Sequence, residues 1–151
     1  YNLDPTNSAS SDDELWSALE RAQLKAKIEE IGGLDAEIAD GGSNLSKGQK
    51  QLLCIARAII RKPRVLILDE PSASVDSATD AELQRVLRTS FPGVTMLTIA
   101  HRLDTIADSD RVLVLGKGKI IEFDKPSKLL EDKDSAFSAL IREAQGHEKQ
   151  K

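Results

Sequence analysis

The sequence predicts an α/β fold in which helices pack on a mainly parallel sheet, followed by a C-terminal β-hairpin and further helices. Residues 65–68 form a continuous apolar run, and residues 94–100 are rich in β-branched side chains. Runs of this kind are typical of strands that are buried on both faces of a parallel sheet. Helix-like stretches alternate with these runs, which indicates helices layered on a sheet.

The composition excludes several classes of protein. The chain has 151 residues, of which 40% are hydrophobic and 30% charged, so it is globular and long enough for one ordinary domain. Its net charge of −4 and its aromatic content of 3% provide neither a basic field nor stacking surfaces for nucleic acid. The single cysteine, Cys54, excludes an intrachain disulfide framework and fits a reducing compartment. No apolar run approaches the roughly 18 residues of a membrane-spanning helix, so we expect a soluble cytosolic chain.

The first third of the chain has the pattern of a helical region. Ser11 is followed three residues later by Glu14, which is the spacing of a capping box, so a helix is predicted over residues 12–24. A second short helix is predicted over 25–31, where two glycines stop it, and residues 34–44 have the composition of a loop.

A longer third helix is predicted to begin after Ser46, which is its N-cap. Pro63 cannot continue a helix, so this one should end at Arg61 or Lys62. Cys54 on the same helix is interpreted as a small buried hydrophobic residue. An apolar stripe at helical spacing is formed by Leu52, Ile55, Ala56, Ile59 and Ile60.

Turn and helix signals predict the elements of the second half. A Gly-Lys-Gly sequence at 116–118 is typical of a hairpin turn, and Pro126 can open a helix. In order, the predicted elements are helices over 77–89 and 103–107, strands over 111–115 and 119–123, and helices from Pro126 and over 135–144, before a polar tail.

An acidic pair, Asp69 and Glu70, ends the predicted strand at 65–68. In open α/β sheets, ligands bind beyond the carboxyl ends of the strands. Asp69 there would hold Mg²⁺ and Glu70 would polarise an attacking water. The alternative is a solvated strand end that caps a turn at Pro71, and an acidic pair by itself favours that alternative.

A second candidate site is the start of the third helix. Helix N-termini offer free N–H groups to anions, Gly48 would let a phosphate approach the backbone, and Ser46 could donate its hydroxyl. The alternative is that Ser46 only caps the helix and that Gly48 only joins loop and helix. Taken singly, these residues favour the alternative.

Together these segments form an ordered set that resembles the nucleotide-binding domain of ABC transporters. LSKGQ (45–49) resembles the signature motif, VLILDE (65–70) the Walker B strand, SASVD (72–76) the D-loop and TIAHR (98–102) the switch-histidine segment. NLDP, GQKQLLCIARAIIRK and DRVLVLGKGKIIEFDKPSKLL are most similar to the second domain of the multidrug-resistance-associated (C) subfamily. The resemblance covers nearly the whole of this chain. The chain corresponds to the C-terminal two-thirds of such a domain.

This resemblance implies the fold of a partial P-loop NTPase core with a helical subdomain. Residues 1–62 would form the helical subdomain and the signature helix. Residues 63–145 would form the part of the ATPase core that runs from the Walker B strand onward, and residues 146–151 a polar tail.

The resemblance also implies roles in ATP hydrolysis. Asp69 would coordinate Mg²⁺, Glu70 would orient or activate the attacking water, and His101 would contact the γ-phosphate. A lone histidine after an apolar strand is otherwise a plain polar cap, but its position after Glu70 favours the functional interpretation.

The remaining implied roles concern a partner domain. Asp76 would communicate across the dimer interface, although it could also cap the helix that begins at Ser77. The signature residues that would face ATP held by the partner are Ser46, Lys47, Gly48 and Gln49.

The resemblance therefore implies an ATP-binding and ATP-hydrolysing domain of a membrane exporter, with ATP and Mg²⁺ as cofactors. Its partners would be a second nucleotide-binding domain, arranged head to tail, and the transmembrane domains of the same transporter. It would lie at the cytoplasmic face of a membrane and would bind no nucleic acid.

Two departures from the family pattern keep alternatives open. Lys47 stands where glycine is the commonest residue, and these 151 residues contain no G-x-x-x-x-G-K-[ST] P-loop. Because the chain begins at Tyr1 rather than Met, we interpret it as a piece of a longer protein. One alternative is a catalytically silent fragment that binds a partner. Another is a non-transport ATPase with the same signature, of the chromosome-maintenance or DNA-repair kind, although the chain shows no sustained heptads.

Overall fold

A computed structural model describes residues 2–9, 11–69, 77–99, 106 and 108–148 of the chain. The contacts divide the chain into two compact units, Tyr1–Ile99 and Ala100–Lys151. The helices are α1 (Asp12–Arg21), α2 (Lys25–Glu30), a 3₁₀ turn (Asp40–Gly42), α3 (Lys47–Arg61), α4 (Ser77–Ser90), α5 (Pro126–Glu131) and α6 (Ala136–Glu148). The strands are β1 (Val65–Asp69), β2 (Thr95–Ile99), β3 (Val112–Gly116) and β4 (Lys119–Asp124).

Helix α1 begins where the sequence predicts but ends three residues early. The Ser11 hydroxyl accepts the N–H of Glu14, which confirms Ser11 as the N-cap. The acidic residues of the first turn stabilise the helix, because their negative charges lie near the positive end of its dipole. Gln23 has a left-handed φ of 57°, so the backbone turns away before Leu24 and the predicted helix over 12–24 is too long.

Helix α3 confirms the predicted N-cap, and its apolar stripe is buried throughout. The helix ends at Arg61, and Lys62 follows in the left-handed conformation, with φ of 48°. The prediction that Cys54 is buried is wrong, because its side chain is exposed. Cys54 lies two residues, or about 200°, beyond Leu52, and this rotation places it on the face opposite the stripe.

The core of the N-terminal unit is formed mainly by its four helices. Helix α3 packs against both α1 and α4. Arg21, at the end of α1, donates to the carbonyl oxygen of Ser90 at a distance of 2.5 Å, and it thereby links the last turns of α1 and α4. The largest fully buried side chains are Leu19, Leu24, Leu83 and Val86.

Strands β1 and β2 confirm the predicted parallel pair. They run in register from Val65 opposite Thr95 to Asp69 opposite Ile99. Leu66 and Leu68 of β1 pack against the helical core.

The expected burial of this sheet on both faces is wrong for the described residues. Val65 and Ile67 are 56% and 67% exposed, and Leu97 and Ile99 of β2 are also exposed. Successive strand residues point to opposite faces, so the helices cover the face of Leu66 and leave the face of Val65 open.

The C-terminal unit contains the predicted β-hairpin. Strands β3 and β4 pair antiparallel with an irregularity at Val114 and Leu115. Lys117 and Gly118 have φ of 50° and 73°, as a two-residue hairpin turn of the primed type requires.

Helix α6 is joined to the hairpin through Glu122 of β4. The carboxylate of Glu122 accepts the N–H groups of Ala136 and Phe137, at 2.7 and 3.0 Å, in the first turn of α6. Helix α6 continues to Glu148, four residues beyond its predicted end. The helix predicted over 103–107 lies outside the described residues except for Ile106.

Candidate functional site

The start of α3 is organised by a reciprocal pair of hydrogen bonds. The Gln49 N–H donates to the Ser46 hydroxyl oxygen at 3.1 Å, and the Ser46 N–H donates to the Gln49 side-chain oxygen at 2.9 Å. This is a complete capping box, which satisfies two backbone donors at once. The Ser-x-x-Gln spacing of residues 46–49 is the sequence signal for this capping box, and it extends the prediction of Ser46 as an N-cap.

The capping box leaves one polar group of Ser46 available. Its oxygen accepts the Gln49 N–H, so the hydroxyl hydrogen still has to find an acceptor. Ser46 and Lys47 are both exposed. The first N–H groups of a helix have no acceptor within the helix. These donors and the Lys47 ammonium give the start of α3 the chemistry of an anion site.

The loop before Ser46 is held by side chains that the sequence patterns do not identify. Asn44 accepts the N–H of Ala39 at 3.2 Å and donates to the carbonyl oxygen of Glu37 at 3.1 Å. Lys50 donates to the carbonyl oxygen of Gly41 at 2.8 Å. These bonds brace the chain on the N-terminal side of the signature residues. Asparagine shortly after a Gly-Gly pair is a loop signal, but nothing in the sequence identifies its hydrogen-bond partners.

The four signature residues thus have different environments. Ser46 and Lys47 face solvent, Gly48 is buried, and Gln49 is half-buried with its side-chain oxygen bonded to Ser46. Ser46 and Lys47 are therefore accessible to solvent, while Gln49 orients Ser46.

Asp69 is the last residue of β1 and is exposed. By strand alternation it shares the open face of the sheet with Val65 and Ile67. A single exposed carboxylate at a strand end fits a Mg²⁺ ion whose other ligands are water and phosphate oxygens. No group of three His, Cys, Asp or Glu side chains that could hold a metal occurs in the described part of the chain.

Three predicted site residues, Glu70, Asp76 and His101, lie outside the described residues. Asp69 and Ile99, the last residues of β1 and β2, are paired across the sheet.

Removing the cap of α3 should destabilise the N-terminal unit. We expect Ser46→Ala to lower the free energy of unfolding by about 1 kcal/mol, because the Gln49 N–H loses its acceptor. Ser46→Asn should cost much less, since asparagine caps helices about as well as serine. Urea unfolding of both variants measures the difference, and an equal loss in the two would contradict the role of the cap.

Comparisons with known proteins place this geometry in a family. The ABC transporter family model matches residues 2–73. ABC transporter C family member 8 of Dictyostelium discoideum is 51% identical over 143 residues, which are 94% of this chain and 9% of that protein. Human ATP-binding cassette sub-family C member 8 is 52% identical over 143 residues, with the same coverage of 94% and 9%. The chain thus spans about a tenth of the length of these relatives.

A solved structure supports the same conclusion for the fold. The structure of a bacterial Atm1-family ABC exporter with ATP bound superimposes with a TM-score of 0.81 and 32% identity, over 95% of this chain and 25% of that one. The predicted ABC ATPase fold is therefore confirmed. No helix among the described residues has the length and apolarity that a membrane span requires. The sequence identity and the fold together show that the chain belongs to the ABC transporter family, as part of its nucleotide-binding domain.

Proposed function

We propose that this chain is part of an ATP-binding and ATP-hydrolysing domain that drives an ABC-type exporter. The observation that carries the proposal is the capped start of α3, where the exposed Ser46 keeps a hydroxyl hydrogen to donate. A capping box fixes this donor before any ligand arrives, so binding a phosphate there costs little ordering of the protein.

The start of α3 would receive the terminal phosphate of ATP held by a second nucleotide-binding domain. Two such domains, arranged head to tail, would each offer this surface to the nucleotide of the other. Lys47 would add a positive charge that attracts the triphosphate. Without a bound anion, a cation at this position is disfavoured, because the N-terminus of a helix carries a partial positive charge. ATP binding would bring the two domains together, and hydrolysis would let them separate.

The groups that would bind Mg²⁺ and activate water lie in the sequence at the carboxyl ends of the two parallel strands. Asp69 would hold Mg²⁺, and Glu70 would orient the attacking water or accept its proton. His101 would donate to the γ-phosphate, and Asp76 would link the two sites across the dimer. Catalysis of phosphoryl transfer to water depends mainly on such positioning and on stabilising the developing charge.

The proposed setting is one that the membership in the family supports. The domain would lie at the cytoplasmic face of a membrane and couple ATP hydrolysis to movements of the transporter's transmembrane domains. The similarity to C-subfamily proteins supports this setting, and the net charge of −4 does not favour nucleic acid as a partner.

The role of Asp69 can be tested in the full-length protein that contains this chain. We expect Asp69→Asn to raise the Mg²⁺ concentration for half-maximal ATP hydrolysis by at least about tenfold, because an amide is a weaker ligand for a hard cation. Asp110→Asn is the matched control, since Asp110 is exposed and lies on another part of the chain. An unchanged Mg²⁺ requirement in the Asp69 variant would contradict the proposed site.

A further inference from the structure

Gly48 is buried against α4, although its neighbours Ser46 and Lys47 are exposed. A Cβ atom built on Gly48 would lie 2.2 Å from Cγ2 of Thr79, and 3.4 and 3.6 Å from its Cβ and Oγ1. The first distance is far below any van der Waals contact between carbon atoms, and the other two are ordinary contacts. A side chain at position 48 would therefore have to displace the methyl group of Thr79.

Neither partner in this contact can move aside easily. Threonine is branched at Cβ, so few rotamers are open to Thr79 within a helix. Leu83, one turn further along α4, is fully buried in the core, and α4 packs along α3. The first turn of α4 therefore forms a rigid stop against the first turn of α3.

We propose that Thr79 is a positioning residue for the signature turn, Leu45–Gln49, and this inference rests on the proposed function. The Thr79 methyl group sets the separation between the starts of α3 and α4. It thereby places the capping box and the Ser46 hydroxyl that would meet the phosphate of the partner domain's nucleotide.

The same contact gives a route for communication between two motifs. Helix α4 begins at Ser77, directly after the D-loop-like SASVD sequence at 72–76. If the start of α4 moved, the Thr79 methyl group would move toward or away from Gly48 and would shift the start of α3 with it. The glycine at position 48 is thus explained by packing against the protein itself, in addition to any need for a phosphate to come close.

Unfolding of the 151-residue chain tests the contact without any nucleotide. We expect Gly48→Ala to reduce the folding equilibrium constant by at least about tenfold, because the new methyl group overpacks the site. In a Thr79→Ser background the same substitution should no longer destabilise, because the obstructing methyl group is gone and alanine favours helix over glycine.

Two control variants make the rescue specific. Thr79→Val keeps the branched shape and should not rescue Gly48→Ala. Thr89→Ser makes the same chemical change in the last turn of α4, where Thr89 is exposed, and should not rescue it either. Rescue by Thr89→Ser, or no rescue by Thr79→Ser, would overturn the proposed contact.

ATP hydrolysis by the full-length protein tests the positioning role. Gly48→Ala should raise KM for ATP at least about tenfold, and Thr79→Ser should restore KM together with stability. If stability returns and KM does not, position 48 acts on the phosphate alone and the positioning role of Thr79 is wrong. If the unsubstituted protein hydrolyses no ATP, the proposed function fails, while the unfolding measurements still decide whether the contact exists.

Discussion

Glu70→Gln should lower ATP turnover of the full-length protein by at least about a hundredfold and leave ATP-dependent closure of the two domains intact. The amide has nearly the shape of the carboxylate, so nucleotide binding and domain contacts should persist. It accepts no proton from the attacking water, however, and general-base catalysis contributes about 10²–10⁴-fold to such reactions. This is the largest functional effect that the proposed site predicts.

Two measurements on the same variant are needed. Steady-state phosphate release gives the turnover, and a distance between labels on the two nucleotide-binding domains reports closure on addition of ATP. Glu29→Gln is the matched control, because Glu29 is an exposed glutamate of α2 far along the sequence from the predicted site. Unchanged phosphate release in the Glu70 variant would refute its assignment as the catalytic residue.

Leu83→Ala should have the largest effect on stability, lowering the free energy of unfolding of the N-terminal unit by about 3 kcal/mol. Leu83 is 0% exposed, on the face of α4 that packs in the helical core. The substitution removes three carbon atoms and leaves a cavity that rigid helices on several sides cannot close.

Tryptophan fluorescence during urea unfolding follows this unit selectively. The chain has a single tryptophan, and that residue, Trp16 of α1, packs against the same core. Leu97→Ala is the matched control, because Leu97 lies in the same unit, is 52% exposed on β2 and should cost less than about 0.5 kcal/mol when truncated. A loss below about 1 kcal/mol for Leu83→Ala would mean that the core around α4 relaxes freely. The rigid stop that we assign to Thr79 would then lose its support.

Features set by neighbours along the chain were predictable. The place of Ser46 before an apolar stripe predicts an N-cap, and the structure confirms it. The hairpin followed from the Gly-Lys-Gly turn, since a two-residue turn with positive φ largely dictates the pairing of its flanks. The family followed from the order and spacing of the motifs, which are properties of the sequence alone.

Features that depend on distant parts of the chain were not predictable in the same way. An apolar run at 65–68 indicated burial on both faces, but burial depends on which elements cover each face of the sheet. The wrong prediction for Cys54 has a local cause instead, because helical spacing alone places this residue opposite the apolar stripe of α3.

The candidate site shows the same division. The sequence by itself determined which donors and carboxylates the chain carries and that Ser46 begins a helix, because capping acts over three residues. Only the tertiary structure decided that Gly48 meets Thr79, 31 positions later in the sequence. Packing between two helices joins residues whose separation no local pattern records, and that contact places the signature turn.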